Sequence, residues 1–114
     1  GCPYRSRRRH TLNAHHFPTG KFTYTVGEYS PSVDISEQGT MIISLEGEVI
    51  VISKYQVTGI LIDVTDLEGT YAGPEYGIGR YKWNLEGETL TFTLIEDKLP
   101  PRVKAFAVPW QKAG

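Results

Sequence analysis

A chain of 114 residues with 39% hydrophobic and 22% charged content fits one globular domain with a single core. No apolar run approaches the roughly 18 residues of a membrane helix, and a single cysteine, Cys2, excludes an internal disulfide. The net charge of −1 hides an asymmetry: residues 1–20 hold four arginines and no acid, whereas residues 21–114 hold eight Lys/Arg and thirteen Asp/Glu. An acidic body argues against nucleic acid as a partner. The lone thiol favours a cytoplasmic setting over a secreted or periplasmic one, although the chain opens at Gly1 and not Met, as after processing.

Residues 1–20 have no periodicity and contain Pro3, Pro18 and Gly20, so they form a basic N-terminal arm ahead of a domain at 21–114. Arg5–His10 is read as a solvated terminus before a phosphate-contacting tail. His10, His15 and His16 lack Cys or carboxylate partners at ligand spacing, so no metal site is expected.

From Gly20 onward, turn signals recur every 8–12 residues, the pattern of an all-β sandwich or barrel. Lys21–Val26, Ser32–Ser36, Thr40–Leu45 and Glu48–Ser53 read as strands, with Tyr55–Val57 continuing or bending the meander. Ile60–Thr65 follows, and Asp66 to Ile78, with Gly69, Gly73, Pro74 and Gly77, reads as the longest loop. In Tyr81–Leu94, Tyr81, Trp83 and Leu85 alternate with polar residues, as do Leu90, Phe92 and Leu94 after a Glu-Gly turn. That is a hairpin with one buried and one wet face. Val103–Val108 reads as the closing strand, and no stretch reads as a helix.

Leu45-Glu46-Gly47-Glu48 recurs as Leu85-Glu86-Gly87-Glu88, as though one turn served two hairpins. Tight turns between consecutive strands favour an up-and-down meander, and about eight strands remove their edges by closing into an antiparallel barrel. An eight-stranded barrel is either filled by its own side chains or holds one small ligand.

The motif Gly79-x-Tyr81-x-Trp83-x-Leu85-x-Gly87-x-x-Leu90-x-Phe92, followed by Glu96-Asp97, Arg102 and Trp110, resembles the closing half of small bacterial lipocalin-like proteins of the calycin group. Ser36-Glu37-Gln38-Gly39-Thr40-Met41 resembles the strand–turn–strand before it, and Gly20-Lys21-Phe22 is similar to the Gly-x-Trp opening of lipocalins. The resemblance implies a lipocalin-like barrel that binds a small hydrophobic molecule, without a cofactor. Two departures stand out. Phe22 replaces the opening Trp on which a late Arg stacks, and Leu99 and Pro100 stand where such proteins often carry cysteines.

The expected ligand-binding residues are Tyr55, Tyr81, Trp83 and Phe92 inside the barrel, with Tyr71 and Tyr76 on the long loop as a lid. Glu96-Asp97 is an adjacent carboxylate pair, which diverges on a strand, and no catalytic motif is present. A packed scaffold module and a barrel isomerase or cyclase are the competing functions. Strands Thr40–Leu45 and Glu48–Ser53 are apolar on both faces, so Ile42, Ile50 and Ile52 are expected to meet a second copy in a homodimer.

Overall fold

The computed structural model describes residues 16–113. The strands are β1 Gly20–Thr23, β2 Ser32–Ile35, β3 Thr40–Leu45, β4 Glu48–Thr58, β5 Leu61–Glu68, β6 Ile78–Glu86, β7 Thr89–Glu96 and β8 Trp110–Lys112. A 3-10 turn at Pro74–Tyr76 and one α-helix, α1, at Pro100–Phe106 complete the described elements. Each strand pairs antiparallel with its chain neighbour and β8 returns to β1, which closes an eight-stranded up-and-down barrel. Closure removes the exposed edges that a sheet of this size would otherwise present. Arg5–His10 and His15 of the arm lie outside the described residues.

The core follows the period-two pattern of the strands. Phe22, Val33, Ile35, Met41, Ile43, Ile62, Val64, Tyr81, Trp83 and Leu90 are buried, and their strand neighbours are mostly half-exposed or exposed. In the hairpin of β6 and β7, Trp83 faces Phe92 and Leu85 faces Leu90, the pairing that the alternation implies.

The two Leu-Glu-Gly-Glu turns are not the same turn. In the first, Leu45 pairs with Glu48, leaving Glu46 (φ 53°) and Gly47 (φ 83°) as the connecting pair, both left-handed. In the second, Glu86 pairs with Thr89, so Gly87 (φ 61°) and Glu88 connect the strands, with only the glycine left-handed. Identical sequences are thus used one residue out of step. A bulge between Ile43 and Ser44 compensates in β3–β4 and leaves Ile50 as the extra residue between Val49 and Val51.

The expected closing strand Val103–Val108 does not form: residues 103–106 belong to helix α1, and Ala107 and Val108 lie in the turn after it. Pro100 and Pro101 occupy the first turn of α1, where a missing N–H costs nothing. Its buried residues are Arg102, Ala105 and Phe106, spaced i, i+3, i+4, so the apparent alternation of Val103–Val108 was one face of a short helix. The strand that closes the barrel is β8, which pairs with only Thr89 and Leu90 of β7. Alongside, Phe106 stacks on Tyr81 (centroids 4.6 Å apart) and packs on Phe92 (4.5 Å) and Trp110 (5.0 Å). Trp110 is fully buried and donates Nε1–H to the Ala105 carbonyl (2.9 Å), which ties helix to strand.

One end of the barrel is plugged by aromatic rings. Phe17, just ahead of β1, lies 5.1 Å from the Tyr55 ring and 5.3 Å from the Trp83 ring. Phe22 still has a cation over it: Lys112 Nζ sits 5.4 Å from its ring centroid while donating to the Thr19 carbonyl at 2.8 Å.

Candidate ligand-binding site

Toward the other end, a cavity of about 500 Å³ lies between the inner faces of β3, β4 and β5 and the helix α1. Its walls are Met41, Ile43, Leu45, Ile50, Val51, Val64, Leu99, Ala105 and Phe106, with Tyr24, Val26 and Pro31 from the β1–β2 connection. Tyr29 and Tyr71, 57% and 59% exposed, stand at its rim. The volume falls within the roughly 300–1,000 Å³ of small-molecule sites, and the lining is mostly apolar with a few polar groups, as such sites are.

Those polar groups come from three elements. Ser53 on β4, Asp66 on β5 and Arg102 on α1 are 3%, 3% and 5% exposed, and all three reach the cavity. Asp66 accepts from Ser53 Oγ (2.9 Å), the Gly73 backbone N–H (3.0 Å) and Arg102 Nη1 (3.3 Å). Behind it, Arg102 donates Nε–H to Asp97 Oδ2 and Nη2–H to Asp97 Oδ1, both at 2.7 Å, and Nη2–H to the Gly77 carbonyl at 3.1 Å. Asp97 also accepts from the Tyr81 hydroxyl and from the Leu99 N–H. Among the described residues, no buried side-chain polar atom lacks a partner.

Local sequence explains these positions. Ser53, Asp66 and Tyr81 occupy inward-facing strand positions, and Arg102 lies on the buried face of α1. Gly79, inward on β6, makes room: a Cβ there would stand 2.5 Å from Asp97 Oδ2 and 2.7 Å from Arg102 Nε.

Burial pushes the Asp97 carboxyl up, but hydrogen bonds from Arg102, Tyr81 and the Leu99 N–H together hold it below its ordinary value. Tyr81 is pushed up by burial first and then by donation to the Asp97 carboxylate. Burial lowers Arg102, and its carboxylate partners more than offset that, leaving it raised. Burial pushes Tyr24, in the cavity wall, up to about 12. Asp97 is therefore held ionised and Tyr81 protonated, a charge arrangement suited to fixing geometry.

Of the six residues expected to bind ligand, only Tyr71 lines the cavity. Tyr81 lies behind it, engaged with Asp97 and stacked on Phe106. Phe92 packs among Tyr81, Phe106 and Trp110. Trp83 and Tyr55 belong to the plugged end, where Trp83 Nε1 donates to the Gly59 carbonyl (2.9 Å) and the Tyr55 hydroxyl to the Ser36 carbonyl (2.6 Å). Tyr76 borders a smaller surface cleft with Ile78, Arg80, Glu96 and Lys98. The long loop is pinned by Tyr71 N–H to the Ile50 carbonyl (3.0 Å) and by Gly73 N–H to Asp66. Ile50, expected on the outer face, lines the cavity because of the bulge.

The sequence reading did not name Ser53 or Asp66 as site residues, and it placed Arg102 in the resembling motif without assigning it to the cavity. Asp66 was legible in principle: it continues the inward row Ile62, Val64, and a carboxylate in such a row needs a buried partner. No family model, characterised protein or solved structure matches the chain. Among the described residues there is no grouping of three potential metal ligands and no helix long and apolar enough to cross a membrane.

Proposed function

We propose that the chain is a small-molecule binding protein, of the lipocalin-like kind its closing hairpin resembles, and that it holds an apolar or aromatic molecule in the cavity beneath α1. The observation that carries this reading is the 500 Å³ of apolar-walled space in a barrel otherwise closed by aromatic packing. A barrel acting purely as a scaffold gains nothing from enclosing such a cavity where side chains could fill it, since lost packing contacts cost stability. The isomerase or cyclase alternative draws less support, because Asp97 is held low and Tyr81 high, opposite to the tuning of a general base or acid. Native mass spectrometry of protein purified from cells tests the reading. A co-purified species of a few hundred daltons, lost on denaturation, is expected; a bare chain that binds no member of an apolar compound library would count against it.

A second role is favoured by one observation on the outer surface. Ile42 and Ile52 sit directly opposite one another on β3 and β4, both half-buried, with Val49 45% exposed nearby. This patch supports a homodimer without Ile50. Light scattering at micromolar concentration is expected to give twice the chain mass, and Ile52→Lys to give the monomer mass; a wild-type monomer sinks it.

A further inference from the structure

Resting on that binding role, we infer that the ligand is an amphiphile with a protonated amine head, and that Asp66 at the cavity floor receives that head. The charge count comes first. Among the described residues, Asp66, Asp97 and Arg102 form one buried ion-pair cluster in which two carboxylates share a single guanidinium, so one negative charge is left over. Geometry decides where the excess lies. Arg102 spends its two 2.7 Å hydrogen bonds on Asp97, whose side chain is fully buried and does not line the cavity. Asp66, which does line it, receives a single 3.3 Å contact. The under-neutralised carboxylate is the one that lines the cavity.

The hydrogen-bonding count points the same way. Four of the five Arg102 N–H groups are engaged, by Asp97 twice, Asp66 and the Gly77 carbonyl. The Ser53 hydroxyl proton is given to Asp66 Oδ1, which leaves the Ser53 oxygen as an acceptor. Among the described residues, Asp66 Oδ2 accepts only the Gly73 N–H, which leaves it a lone pair. The floor therefore offers spare acceptors and an unbalanced negative charge to whatever enters. An ammonium supplies three donors and one positive charge, and a charge-assisted hydrogen bond formed away from water is among the strong ones. The apolar walls take the body of the ligand. Lys104, on the exposed side of α1 at the cavity edge, and the one remaining Arg102 N–H would favour a carboxylate-headed ligand instead, and they are what the decanoate comparison below weighs against Asp66.

Isothermal titration of the full chain at neutral pH with decylamine, decanol and decanoate, each below its micellar range, separates these cases. Decylamine is expected to bind at least ~10-fold tighter than decanol, the size of effect a hydrogen bond to a charged group carries, with decanoate weakest. Asp66→Asn is expected to bring decylamine to within about 3-fold of decanol while decanol still binds. Decanol equal to or tighter than decylamine, decanoate tightest, or an unchanged amine advantage in Asp66→Asn would each overturn the assignment of the amine while leaving the binding role intact. Failure of all three compounds to bind would overturn the binding role together with it. The wild-type ranking decides the matter by itself if Asp66→Asn does not fold.

Discussion

Arg102 grips Asp97 through two parallel hydrogen bonds of 2.7 Å, Nε to Oδ2 and Nη2 to Oδ1, with both side chains almost fully out of solvent. This fork joins α1 to the segment after β7, and through Asp66 it joins α1 to β5. Removing one partner strands a buried charge, which costs far more than the net worth of the pair. Arg102→Ala is therefore expected to lower the unfolding free energy by about 3 kcal/mol or more in urea titrations. Arg102→Lys keeps the charge but not the planar fork and is expected to recover only part of the loss. Near-wild-type stability for Arg102→Ala would show the cluster to be energetically idle.

The lowered Asp97 carboxyl gives stability a specific acid limb. A group whose folded pKa lies below its unfolded value stabilises the fold above the unfolded value and loses that contribution as pH falls through the folded one. Unfolding free energy is thus expected to hold down to about pH 4 and to fall below it. Carbon-detected NMR of the carboxyl groups reads Asp97 directly. Titration at or above the usual aspartate value would contradict the hydrogen-bond assignment.

At the alkaline end the sign reverses. Tyr24 and Tyr81 are both raised, so their contribution is complete below the ordinary tyrosine value of 10.0 and is lost as pH rises through the folded values. For Tyr24 that window runs from 10.0 to about 12. Tyrosinate absorbance is expected to show Tyr24 and Tyr81 ionising only above the ordinary tyrosine value of 10.0 or on unfolding. Ionisation of Tyr24 at or below the ordinary tyrosine value in the folded protein would contradict the burial of its ring.

Two glycines of the same motif are expected to behave differently. Gly79→Ala drives a methyl into Asp97 and Arg102, whereas Gly87→Ala meets nothing within 4 Å but sits at φ 61°. The second carries only the left-handed backbone penalty of about 1–2 kcal/mol. The first must displace a buried ion pair, and a loss of about 3 kcal/mol is expected from thermal and urea melts. Equal costs at the two positions would mean that Gly79 serves the backbone and not the cluster.

Alternation made the barrel legible. Trp83 opposite Phe92 and Leu85 opposite Leu90 follow directly from residues spaced two apart on each arm of the hairpin. Two features broke the reading. Val103–Val108 has apolar residues that fit period two, and only the Pro100-Pro101 start pointed to a helix that places Arg102, Ala105 and Phe106 inward. The bulge at Ile50 was hidden because identical Leu-Glu-Gly-Glu segments turn one residue apart. The site suffered most. Large aromatics drew the expectation toward Tyr55, Tyr81, Trp83 and Phe92, yet large rings fill space, and the cavity opens where smaller side chains such as Val51, Ser53, Val64 and Ala105 leave it.

Filling that space is the most direct test. Ala105 faces the cavity from α1, and Ala105→Phe adds a ring where room exists, so the fold is expected to keep its melting temperature within a few degrees. Decanol affinity, measured by titration calorimetry on wild type and Ala105→Phe, is expected to fall at least about 10-fold in the variant. Unchanged affinity in a folded Ala105→Phe would place binding elsewhere and contradict the cavity as the site.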